Sequence, residues 1–134
     1  MAITLNPIVV TTIPDDGETW AMSMNSADVS GVEVIKAAVP GHSHYIMKIS
    51  LHSSAAMTAT IGAGEAVAGT MDNAYFGPVN FTAAGPVCDI NFTTVAGLPL
   101  KGIKCGLGLP LCIDGTAGAI AIYIEGKTCK EKPW

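Results

Sequence analysis

The chain has 134 residues, of which 13% are charged and 49% hydrophobic, with a net charge of −4. An ordinary soluble domain carries about 25% charged residues, so a mean hydropathy of +0.43 points to a surface largely covered by other subunits. The same composition excludes a basic nucleic-acid binder: all seven basic residues are lysines, and only Lys127, Lys130 and Lys132 cluster, around Glu131. No run approaches the roughly 20 apolar residues of a spanning helix; the longest, residues 105–113, is interrupted by Gly106, Gly108 and Pro110.

In chain order, residues 1–18 read as an N-terminal arm and first strand. Residues 3–12 are extended, and Pro14-Asp15-Asp16-Gly17 is a turn. MAITLNPIVV has no basic stretch ahead of an apolar one, so no signal peptide is expected. A β-sandwich domain is expected over 19–126. It opens with strands at 19–24 and 31–38. Residues 44–52 then alternate, with Tyr45, Met47, Ile49 and Leu51 on one face and His44, Lys48, Ser50 and His52 on the other; Ile46 breaks the pattern. Met57, Ala59 and Ile61 alternate after the turn at 53–56, so the two runs read as an antiparallel hairpin. Residues 64–73 read as a loop crossing between sheets. Tyr75, Val79 and Phe81, then Cys88, Ile90 and Phe92, read as a second hairpin about Ala83-Ala84-Gly85-Pro86. Ile103, Cys105, Leu107, Leu109, Leu111 and Ile113 form a long inward series. A turn at 114–118 leads to the last strand, 119–125, and residues 127–134 read as a solvated tail. About eight short strands at this spacing, with no amphipathic helix, predict an all-β, two-sheet antiparallel sandwich or barrel.

Candidate chemistry is sparse. His42 and His44 form an H-x-H spacing that suits a metal ligand pair on a strand, set against the plainer expectation of exposed loop histidines; His52 lies too far along the strand to join them. There is no paired carboxylate, no G-x-S-x-G elbow and no phosphate loop, so neither an enzyme nor a cofactor is expected. Cys88, Cys105, Cys112 and Cys129 lack a C-x-x-C pair. Hairpin register about Thr116 allows a Cys105–Cys129 bridge if a bulge near Gly126 corrects the facing; Cys112–Cys129 competes with it, as do four thiols. Trp20 reads as a core or interface residue. Trp134, after Pro133, reads as a tail anchor inserted into a neighbour or as a free end.

The runs IKAAVPGHSHYIMKISLHSSAAMTATIGAGE and YFGPVNFTAAGPVCDINFTTVAGLPLKGIKCGLGLPLCIDGTAGAIAIYIEG resemble small jelly-roll virion proteins of tailed bacteriophages, which decorate heads or form short appendages. The resemblance covers residues 32–126 and consists of turns and apolar strands. It implies a jelly roll, a homotrimer and binding to the major capsid protein of the same virion, assembled in the host cytoplasm, with no active site, nucleic acid or membrane. Outside that stretch, and on the same reading, Ile3, Leu5, Pro7, Ile8 and Val9 are the expected capsid-binding residues, because an apolar arm containing a proline could add to a neighbour's sheet edge. The alternative is a receptor- or carbohydrate-binding module of a tail fibre, for which Tyr75, Phe76 and Asn73 beside Asp72 would supply the site.

Overall fold

A computed structural model describes residues 10–26, 32–64, 71, 73–85, 87–93, 100–116 and 118–131. Among them are ten strands: β1 (Val10–Thr12), β2 (Glu18–Ser26), β3 (Val32–Lys36), β4 (His42–Ser53), β5 (Met57–Ala63), β6 (Asn73–Phe81), β7 (Val87–Asn91), β8 (Lys101–Lys104), β9 (Leu111–Gly115) and β10 (Ile120–Lys130). They form two antiparallel sheets, as alternation predicted. The six-stranded sheet runs β1-β8-β4-β10-β2, with β7 also paired to β4; the four-stranded sheet runs β3-β9-β5-β6.

Alternation places one apolar face of each sheet against the other. Ile46, Ile49, Leu51 and Ile124 from the larger sheet meet Ile61, Leu111 and Ile113 from the smaller, all fully buried. Phe76 and Phe92 close the core edge to face at 6.1 Å. Burying side chains of this size stabilises the fold by about 1.5–3 kcal/mol each.

The connections are the reverse of those expected from sequence. β4 and β5, β6 and β7, and β9 and β10 lie in different sheets, so the turns after them cross between layers and make no hairpin. β5 and β6, whose linker reads as a crossing, are paired neighbours. A tight turn between two half-buried strands has the same residue pattern in either case, because alternation reports which face is buried and not which strand is the partner. The inward series from 103 to 113 is also broken. Leu107 and Leu109 are exposed in the loop between β8 and β9, Leu107 at 59%, where Gly106 N–H donates to Tyr75 OH at 2.7 Å.

β4 holds one residue more than β10 across their ladder. Glu125 pairs Lys48 while Gly126 pairs Ile46, leaving Met47 as the bulged residue. Past the bulge the facing of β4 is reversed. His44 and Ile46 point into the sandwich, and Tyr45 points out, opposite to the simple alternation of 44–52.

β10 continues to Lys130, so residues read as tail belong to the sheet. On the outer face Ile13, Tyr45 and Cys129 make a small second cluster, roofed by the turn between β1 and β2. Gly17 in that turn has φ +142°, and a Cβ there would come within 2.6 Å of Thr128 O and 2.8 Å of Cys129 Sγ. Lys127, 7% exposed, pins the turn by donating from Nζ to Pro14 O at 2.6 Å and Asp15 O at 2.8 Å. A buried ammonium is tolerable only when such acceptors replace its water. Lys127→Met strands both carbonyls and is expected to cost about 1–3 kcal/mol. Urea denaturation reads that loss, and faster amide exchange at Asp16 and Gly17 locates it.

Candidate functional site

A cleft of about 270 Å³ opens at the end of the sandwich, between β2 of one sheet and β3 of the other. Asp16, Glu18 and Trp20 line it from β2 and the turn before it. Lys36, Val39 and His42 line it from β3 and the loop into β4, and Thr128 and Lys130 from the end of β10. Two acids therefore face two lysines and an imidazole around one indole.

The floor is a hydrogen-bond relay. Trp20 Nε1–H donates to Thr128 Oγ1 at 2.9 Å. Thr128 Oγ1 lies 2.8 Å from His44 Nδ1, and His44 Nε2 lies 2.9 Å from Ala37 O. A carbonyl only accepts, so Nε2 carries the proton; in the neutral ring Nδ1 then accepts from the Thr128 hydroxyl. His44 is 1% exposed. Burial lowers its pKa below the ordinary 6.5, and the nearby charges of Lys36 and His42 act in the same direction, against the raising effect of the bond to Ala37. The imidazole meets the Trp20 ring edge to face at 6.2 Å.

This geometry decides what the site offers. Lys36 Nζ stands 5.1 Å from the centre of the Trp20 ring, and Gly126 lies against its six-membered ring, where a Cβ would collide with Cζ2. The indole is thus covered and gives a sugar ring no stacking face. Thr128 and His44 have the spacing of a nucleophile and its base, yet the Thr128 oxygen already accepts from Trp20 and its proton is directed into a buried ring. The arrangement holds the cleft in shape.

The predicted site residues fall as follows. His42 lines the cleft, with Nδ1 2.9 Å from Pro40 O. His44 is not an exposed loop residue, because the bulge turns it inward. His52 is exposed near the opposite ends of β4 and β10. Among the described residues no three His, Cys, Asp or Glu side chains are grouped to hold a metal ion. All four cysteines are thiols. The Cys105–Cys129 bridge is corrected for a physical reason: β9 and β10 make no hairpin, and Cys105 packs in the main core while Cys129 sits in the cluster on the other face of the sheet. Burial pushes the Cys105 thiol up to about 12, so it is an inert packing group. Phe76 is buried, Tyr75 is held by Gly106 and Asn73 is exposed, so these three form no open aromatic platform. Asp72, Trp134 and the arm residues Ile3, Leu5, Pro7, Ile8 and Val9 lie outside the described residues. Thr128 and Lys127 were missed in the sequence because Gly126 and the lysines after it resemble a strand end; the β-branched Thr128 between Lys127 and Cys129 was the remaining signal.

No protein-family model matches the chain, and a search of curated proteins finds no match.

Two outcomes follow from the relay. A group whose folded pKa lies below its unfolded value binds fewer protons when folded, so its stabilisation is full above pH 6.5 and is lost as pH falls toward the folded pKa. Thermal midpoints are therefore expected to drop on acidification from pH 7 to 5, with a shallower slope in His44→Gln. Gly126→Ala drives a methyl into Trp20 and is expected to cost about 1–3 kcal/mol in chemical denaturation.

Proposed function

We propose that this chain is a structural, non-enzymatic virion protein of the capsid-decoration type. In this reading it folds as a jelly roll, associates as a homotrimer and binds the major capsid protein of its own particle. The observation that carries the reading is strand order. β2-β10-β4-β7 faces β3-β9-β5-β6, with β8 continuing the position of β7 beside β4. That interleaving is what two Greek keys produce in a jelly roll. A fold alone names no function; the resemblance of residues 32–126 to phage virion proteins supplies that step.

The surface supports association. Val10, Val34 and Val87 are exposed, and they lie on β1, β3 and β7, each with one edge unpaired among the described residues. Leu100, Leu107 and Leu109 are exposed at the two ends of β8. Proteins that work alone usually blunt edges with charge or cover them. A standard interface takes about 800 Å² from each partner, roughly a tenth of the 7447 Å² surface here. β1 is an edge strand that directly continues residues 1–9, so the arm bearing Ile3, Leu5, Pro7, Ile8 and Val9 is assigned to the capsid contact, and Trp134 to a neighbouring subunit.

Mass in solution tests the reading. Light scattering is expected to give three times 13.7 kDa, and a chain lacking residues 1–9 is expected to stay trimeric but no longer co-sediment with heads built from the cognate capsid protein. A stable monomer at micromolar concentration would refute the homotrimer.

A further inference from the structure

We propose that the end cleft binds a small zwitterion, an ammonium and a carboxylate carried on one short aliphatic chain, as in a free amino acid. Register builds the site on the inner face of the larger sheet. Glu18 pairs Thr128, which pairs His44, and in the next row Lys130 pairs His42. Trp20 and His44 face the sandwich interior, so alternation gives Glu18, Thr128, Lys130 and His42 the same facing. Further along, that face is apolar, with Met22 and Met24 on β2 beside Ile122 and Ile124 on β10. Lys36 completes the group from the opposite sheet, its Nζ 5.1 Å from the centre of the Trp20 ring, and Asp16 completes it from the turn before β2.

The charges select the ligand class, because they are balanced and unpaired. The ion pair found among the described residues joins Lys104 to Glu131, and neither lines the cleft. Asp16, Glu18, Lys36 and Lys130 all line it and make no ion pair with one another. An anion entering the cleft is repelled by the two carboxylates, and a cation by the two ammonium groups. A zwitterion meets neither penalty. Its ammonium donates to the acids from the β2 side while its carboxylate accepts from the lysines, giving charge-assisted bonds at both ends. Val39 lends the aliphatic chain an apolar contact, and about 270 Å³ admits a ligand of this size. The floor supplies an independent observation. Trp20, Thr128 and His44 spend their hydrogen bonds on one another and on Ala37 O, so the walls alone carry the recognition. A floor already locked in shape also spares the ligand the cost of ordering it.

The test is titration of ¹⁵N-labelled protein with the ω-amino acids from glycine to ω-aminohexanoate, followed by amide shifts, with propionate and propylammonium as singly charged probes. The series acts as a ruler for the gap between the walls. At least one amino acid is expected to give saturable shifts at Gly17, Trp20, His42 and Thr128, and neither singly charged probe is expected to saturate over the same range. Glu18→Gln and Lys36→Gln are each expected to weaken binding about tenfold, whereas Lys48→Gln, on the outer face of the sheet, is expected to leave it unchanged. Glu18→Gln is also expected to strengthen propionate relative to the amino acid. The proposal is overturned if no amino acid saturates at millimolar concentration, if propionate or propylammonium binds wild-type protein as tightly as the best amino acid, if Glu18→Gln or Lys36→Gln binds normally, or if Lys48→Gln weakens binding equally. It does not depend on the virion reading: a trimer that binds no amino acid refutes the ligand alone, and a monomer that binds one refutes the trimer alone.

Discussion

Met47 is one residue too many in the ladder between β4 and β10, and most of what is individual in this sandwich depends on it. β4 is the central strand of the larger sheet, paired to β10 on one side and to β7 and β8 on the other. A ladder without the bulge would carry one facing along the whole strand. With it, Ile49 and Leu51 face the core above Met47, and Ile46 and His44 face it below. β7 pairs residues on one side of the bulge and β8 on the other, while the freed Met47 carbonyl accepts from Phe92 N–H at 2.9 Å. The bulge therefore divides that edge into two strands as well as reversing the facing.

Two polar constructions follow from the reversal, one on each face of the sheet. Inward, His44 reaches Thr128 and the Trp20 indole seated on Gly126, and the end cleft takes its shape from them. Outward, Tyr45 and Cys129 form a second apolar cluster that the turn after β1 covers, held by the Lys127 ammonium. Both place ionisable groups where water is scarce. Each is tolerable because hydrogen bonds replace its water: His44 uses both ring nitrogens, and Lys127 finds two carbonyls for its three donors.

The end cleft and the outer face of the larger sheet differ in chemistry for reasons visible in their residues. The cleft gathers Asp16, Glu18, Lys36 and Lys130 around a covered indole. The outer face sets Ser23 and Ser50 beside Tyr123, and Asn25 and His52 beside Ala121. Neither could be assembled from sequence, because each draws neighbours from strands about 100 residues or more apart, such as Trp20 with Thr128 at a separation of 108.

Alternation of apolar and polar residues, with β-branched side chains between glycines and prolines, was enough to establish an all-β chain with one buried face per strand, since backbone pleating puts every second side chain on the same side whatever the partner. It located β5, β7 and the core run from Ile49 to Leu51. It did not say that the turn at 53–56 changes sheets, that Leu107 leaves the core, or that Cys105 and Cys129 lie on opposite faces. Those depend on which strands pair and where an extra residue enters the ladder, and pairing is decided by packing between distant segments, a quantity that no local pattern contains.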